Sequence, residues 1–201
     1  MKDPRLSCSF DYDAEMWQVY DYAQSVRAGG RDVYWAPTWE PRGGVRGSGY
    51  IWADDARWSI DTPEQPHSVL ALMTWRQWVL RGPVDLRGAQ LAVYLRGDNL
   101  DLKGGACYFW ALSLRHSTRW HFSGRPLPIA RGAWSASPAT VTLDVDESLW
   151  HRSWAQRAPA FGALAEVLAE CDSYGFSFVG FAEKPTGRFC LDEFSLKPRP
   201  S

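Results

Sequence analysis

An all-β sandwich is the fold this sequence predicts, and three observations predict it. Short segments that alternate apolar and polar residues recur along the chain, bounded by turns that carry glycine or proline. Only one stretch, 160–171, has a convincing helical period. The chain closes on two apolar runs, 176–182 and 188–196, around Lys184-Pro185-Thr186-Gly187, where proline presets φ and glycine tolerates a positive one. That pattern predicts a closing β-hairpin. At 201 residues the chain reads as a single domain, 1–201, which buries roughly 70% of its unfolded surface and needs no disulfide or metal to fold.

Taken in order, residues 6–22 place Phe10 and the run Trp17-Gln18-Val19-Tyr20 on a strand interrupted by acids. Residues 21–49 read as a long irregular loop punctuated by Gly29-Gly30, Ala36-Pro37, Glu40-Pro41 and Gly43-Gly44. Loops of that length in a compact domain are usually functional, and this one holds Tyr34, Trp35 and Trp39. A short strand at 50–52 leads through a turn at 54–58 and a loop at 61–66 to the apolar stretch 68–80. Its length suits a helix, but it reads better as a strand in which Val69, Ala71, Met73 and Trp75 alternate with Leu70, Leu72 and Thr74.

In 89–96, Leu91, Val93 and Leu95 take one face, and Ala92, Tyr94 and Arg96 the other. The run 106–114 is apolar on both faces, as a central strand would be. Strands follow at 119–122 and 139–145, then a crossover at 147–159. The helix predicted over 160–171 gathers Phe161, Leu164, Val167 and Leu168 on one face.

The closing run Cys190-Leu191-Asp192-Glu193-Phe194-Ser195-Leu196 resembles the last strand of galactose-binding-like jelly rolls, where a turn glycine precedes a Leu-Asp-x-aliphatic-x-Leu strand. The order Phe10-Asp11, a short acidic gap, then Trp17 is similar to the first strand of many carbohydrate-binding jelly rolls. Residues 154–196, a short helix ahead of a final hairpin, look like the tail of laminin IV-type modules. The resemblance implies a jelly-roll β-sandwich of galactose-binding-like type, with one short helix before the C-terminal hairpin, that binds glycan without catalysis. It also implies a structural calcium between first and last strands. The matching positions are Asp11 or Asp13 and Asp192, with Asp11 where the family carries the longer glutamate. The 29–49 loop matches nothing in the family.

Twelve tryptophans give the chain its character, since an indole packs a core and also stacks on the apolar face of a sugar. Two ligand platforms are expected. One is the sheet face of Tyr94 and Arg96, with Trp110 beside it and Trp35, Trp39 and Trp120 at the rim. The other is the loop carrying Tyr34, Trp35 and Trp39, whose rings either cap the core or face solvent. Trp110 also has a core reading, because its run is apolar on both faces. Trp17, Trp52, Trp75 and Trp150 are assigned to the core.

Lys and Arg total 22 against 23 Asp and Glu, a net charge of −1, so there is no bulk electrostatic case for nucleic acid. No run approaches 18 apolar residues, so no membrane insertion is expected. The opening MKDPRLSCSF lacks the apolar region of a signal peptide, which favours the cytoplasm unless the chain is trimmed. Cys8, Cys107, Cys171 and Cys190 fit no zinc spacing and read as thiols, with a Cys107–Cys190 bridge as the alternative. His67, His116, His121 and His151 fall in no catalytic motif, and the acidic pairs read as solvated turns rather than a glycosidase dyad. The function expected is a carbohydrate-binding module. A protein-interaction or structural module on the same fold is the alternative, and a glycan-active enzyme the third reading.

Overall fold

The computed structural model describes residues 6–61, 66–75, 82–155 and 161–197, with the side chains of Trp154 and Ala155 excepted. The predicted loop at 61–66 and the far end of the predicted strand 68–80 therefore lie partly outside the described residues.

The chain folds as a two-sheet β-sandwich. In order it forms β1 (Ser7–Cys8), β2 (Trp17–Tyr20), helix α1 (Tyr22–Arg27), β3 (Tyr34–Trp35), β4 (Thr38–Glu40), β5 (Tyr50–Asp54), β6 (Ser68–Trp75), β7 (Gln90–Asp101) and β8 (Ala106–Ser113). There follow β9 (Thr118–Phe122), β10 (Ala130–Arg131), β11 (Ala139–Thr142), β12 (Trp150–Ala155), helix α2 (Leu164–Ala169), β13 (Ser173–Val179) and β14 (Thr186–Lys197). The first sheet runs β10-β7-β14-β5-β4, with β1 also on β14 and β11 on β7. The second runs β12-β9-β8-β13-β6-β2-β3.

Side chains alternate across a strand, and directly paired residues share a face. The register therefore sorts every position. In the second sheet Tyr174, Phe176 and Phe178 turn inward with Phe109 and Ala111 of β8. In the first sheet Phe189, Leu191 and Phe194 of β14 turn inward with Leu95 and Ile51. Trp17, 1% exposed, joins the two layers: its ring lies 5.9 Å from Phe176 and 5.0 Å from Phe194.

The closing pair of strands departs from the sequence reading. β13 lies in the second sheet and β14 in the first, so 176–196 is a crossover between sheets and not a hairpin. The reason is the aromatic set on each strand. Phe178 meets Phe189 at 5.1 Å edge to face across the core, between the two sheets.

Three further differences follow from local chemistry. The expected irregular loop 21–49 contains α1, whose Asp21 carboxylate caps the helix by accepting from the Gln24 N–H at 3.0 Å, and the strands β3 and β4. The crossover at 147–159 contains β12. The helix at 160–171 shortens to α2, which buries Leu164, Val167 and Leu168, while Phe161 precedes it and is exposed. All four cysteines are buried thiols, which leaves no Cys107–Cys190 bridge.

Phe194 is 1% exposed and touches Trp17, Tyr174 and Phe176. Phe194→Ala is expected to cost about 3–5 kcal/mol in urea melts, the loss for emptying a buried phenylalanine site; a loss below about 1 kcal/mol would contradict this packing.

Candidate aromatic binding pocket

The outer face of the second sheet carries an aromatic pocket, and the way it forms is visible along β13. Its inward residues are aromatic, but the outward ones are Ser173, Gly175 and Ser177. Gly175 has to be small, since a Cβ there would meet the Leu72 carbonyl oxygen at 2.3 Å. Small residues on the middle strand leave a trough between Trp110 and Leu112 of β8 and Leu70, Met73 and Trp75 of β6, which pack as a second apolar cluster with Tyr20 and Tyr34. Phe176 and Ser177 of β13 face Leu72 and Leu70, so a bulge lies in β6 at Ala71. It reverses the predicted phase: Leu72 joins the core, while Met73 and Trp75 face outward with Leu70.

The cavity has a volume of about 290 Å³ and is lined from β2, β3, β6, β8 and β9, with Asp32 and Asp61 from connecting segments. Tyr20 and Tyr34 pair across β2 and β3 with ring centroids 5.4 Å apart. Burial pushes both phenols above their ordinary range, with the Asp32 carboxylate acting in the same direction, so both stay protonated donors. Asp61 forms an ion pair with Arg119, both nine-tenths or more buried, and also accepts weakly from Ser68 Oγ at 3.5 Å. Arg119 lies 5.8 Å from the Trp110 ring and donates from Nε to Ser153 Oγ at 3.0 Å. The Trp110 indole N–H is buried with no hydrogen-bond partner among the described residues. His121, paired with Trp110 across the strands, is equally unpartnered. Burial, then the charges of Arg119 and His151, hold it neutral well below the usual histidine range.

The outer face of the first sheet is a second aromatic surface. Register places Thr38, Trp52, Cys190 and Arg96 in one row across it. Arg96 is clasped between Tyr50 at 4.8 Å and Trp134 at 4.5 Å, and pairs with Asp98 at 3.0 Å. Trp134 donates its indole N–H to the Gly43 carbonyl at 2.8 Å, which closes the clasp. Beside it the guanidinium of Arg188 stacks 3.7 Å over the half-buried Trp52. Trp52 is therefore not a core residue, contrary to the sequence reading: alternation from Ile51 and Ala53, which are core, sends it outward.

The candidates named from sequence thus divide. Tyr34 and Trp110 meet in the pocket. Trp35, on the same edge strand, is 44% exposed and donates to Asp21. Tyr94 and Arg96 share the outer face of the first sheet, but both are buried, and Trp110 is in the other sheet and does not flank them. Trp120 is in the core and donates to the Gly162 carbonyl. Trp39 caps the core: it pairs with Ile51 on β5, and its N–H donates to the Phe10 carbonyl at 2.7 Å. Tyr20, Trp75, Asp61, Arg119 and Trp134 were missed as site residues. Tyr20 and Trp75 sat in strands read as core, and the ion pair joins positions 58 apart in sequence.

No family model matches this chain, and no curated protein does. Solved structures with similar folds exist. One is a family 11 carbohydrate-binding module from Clostridium thermocellum in complex with a β-1,3-1,4-mixed-linked tetrasaccharide, 10% identical over 81% of this chain and 82% of that one, with a TM-score of 0.49. Another is the L4b domain of human laminin α-2, 7% identical over 96% and 97%, with a TM-score of 0.47. A third is the non-crystalline-cellulose-specific module CBM28, 11% identical over 94% and 91%, with a TM-score of 0.41. Likeness at this level carries no ligand from those proteins to this one.

The calcium that the resemblance implied does not fit the residues present. Asp192 is fully buried and already surrounded by donors: Val45 N–H at 2.6 Å and Ser48 Oγ at 3.0 Å on one oxygen, Glu193 N–H at 2.7 Å on the other. Three donors take three of the roughly four lone-pair sites of the carboxylate, and neither Asp11 nor Asp13 gathers with it as a metal site. Asp13 instead accepts from the Glu15 N–H, and Asp11 is exposed in a turn. Among the described residues no three His, Cys, Asp or Glu side chains gather as a metal site. Asp192 is a latch for the 44–48 segment.

Burial raises the Asp192 carboxyl to about 6, with the three donors opposing the shift. A carboxyl raised above its unfolded value makes the fold most stable when protonated. The Asp192 contribution is therefore full near pH 4 and lost as pH rises to about 6, so Asp192→Asn is expected to gain stability relative to the parent as pH rises through that window. Urea melts of both proteins across the window check it; a difference between variant and parent that does not change with pH would contradict it.

Proposed function

We propose that this protein is a non-catalytic carbohydrate-binding module whose site is the pocket on the outer face of the second sheet. The observation that carries the reading is one cavity walled by Tyr20, Tyr34, Trp75 and Trp110 with a buried Asp61–Arg119 pair in it. Aromatic rings offer flat apolar faces to the C–H side of a sugar, and a few fixed polar groups orient its hydroxyls. Binding is favoured over hydrolysis by the state of the acids. A glycosidase needs one carboxyl free to give up a proton and a second facing it across the bond. Here Asp61 is locked to a guanidinium, and Asp32 lies at the exposed rim, where it accepts from the Tyr20 hydroxyl at 3.4 Å.

The second reading, a protein-docking module, is supported by the other face. Trp52 stacked with Arg188, and Arg57 5.4 Å from the same ring, are residue types enriched where proteins meet.

A glycan array followed by tryptophan-fluorescence titration with the strongest array ligand separates the two. Tyr34→Ala is expected to weaken that ligand about tenfold, roughly 1.4 kcal/mol, while Trp52→Ala binds as the parent does. Loss of binding in Trp52→Ala with Tyr34→Ala unaffected would move the site to the first sheet, and an empty array would favour the docking reading.

A further inference from the structure

We infer that the pocket reads the end of a glycan: it takes one terminal pyranose and holds it through two neighbouring hydroxyls, with Asp61 as acceptor and Arg119 as donor. The inference rests on the carbohydrate reading above and deepens it.

Size sets the first condition. The cavity is small, about 290 Å³. It falls just under the range of about 300–1,000 Å³ for pockets that enclose a drug-sized ligand. A chain of several rings laid across a sheet needs an open trough, and here connecting segments reach in to complete the walls: Gly30 and Asp32 from the α1–β3 connection, and Asp61 from the β5–β6 connection.

The ion pair sets the second. Arg119 spends Nε on Ser153 and Nη2 on Asp61, so Nη1 has no hydrogen bond among the described residues. Asp61 spends Oδ2 on Arg119 and Ser68, which leaves Oδ1 likewise unused. An unspent donor and an unspent acceptor on two side chains that already touch match a vicinal diol, in which one hydroxyl accepts from the guanidinium and its neighbour donates to the carboxylate. The pair is electrically balanced, so it selects a neutral sugar and gives a uronate or sulfated ring no net attraction. A site built to hydrogen-bond a hydroxyl also rejects the analogue that lacks it, because its own groups are then left unpaired.

The test is a fluorescence titration of the intact protein with methyl pyranosides of glucose, galactose, mannose and xylose. Linear oligosaccharides of the same sugars and a cyclic glucan, which has no chain end, are run beside them. One methyl pyranoside is expected to bind within about tenfold of its own oligosaccharides, and the deoxy analogue at one hydroxyl of the pair at least tenfold more weakly. The double variant Asp61→Leu/Arg119→Met replaces the pair by apolar residues and avoids stranding one charge, a change that buried pairs often tolerate. It is expected to melt near the parent temperature and to lose at least tenfold in affinity. Affinity that climbs with each added ring up to four, or a cyclic glucan that binds like its linear counterpart, overturns end recognition and leaves the carbohydrate reading standing. Double-variant binding equal to the parent removes Asp61 and Arg119 from the site. Failure of every saccharide overturns both readings.

Discussion

The structure depends on one inter-layer contact, the Trp17 indole held between Phe176 of one sheet and Phe194 of the other. Edge-to-face and stacked aromatic pairs are each worth about 0.5–1.5 kcal/mol beyond their burial, and this ring makes four of them, with Phe10 and Tyr174 as well. Its larger consequence is geometric. Once Phe176 and Phe194 face inward, the period of two assigns every other residue of β13 and β14 to a face, and a slip of one would turn the whole set over. Ser173, Gly175 and Ser177 are then outward by necessity, whereas Asp192 faces outward with Tyr94 because the register of β14 shifts between Asp192 and Ser195, ahead of the inward Phe194.

Both outer surfaces follow from that assignment. On the second sheet, small residues along β13 let the side chains of β6 and β8 close over a trough, and the pocket is the part left unfilled. On the first sheet, Asp192 meets a loop and binds it down, while Arg96 is covered by Tyr50 and Trp134. One face carries the pocket with the Asp61–Arg119 pair, and the other covers Arg96 between Tyr50 and Trp134.

Much of the fold was legible in the sequence because alternation and turn residues are local signals. The strands at β7, β8 and β9 lie within a few residues of where the pattern placed them, and Trp17 and Trp150 are in the core as read. What was not legible has physical causes. The bulge between β13 and β6 has no mark in the string of apolar residues from Ser68 to Trp75, all of them buried, so the phase of Met73 and Trp75 could not be read. Helix α1 did carry a signal, Asp21 as cap with a glycine after its end, but it is six residues long in a segment crowded with breakers. The crossing of β13 and β14 is a long-range choice made by Phe178 and Phe189, and a Pro-x-Gly turn serves a hairpin and a crossover equally well. The site was half visible: Tyr34 and Trp110 were named, and the Arg119–Asp61 pair that gives the pocket its chemistry depends on a contact across the fold.

The central claim is that ligand enters between Tyr34, Trp75 and Trp110 and leaves the Trp52 and Trp134 face untouched. Each tryptophan has one indole N–H, so a nitrogen-15 correlation spectrum recorded through a titration with the strongest array glycan reports every ring separately. The account predicts that the Trp75 and Trp110 indole signals shift and saturate together while those of Trp52 and Trp134 stay fixed. Shifts confined to Trp52 and Trp134 would contradict it.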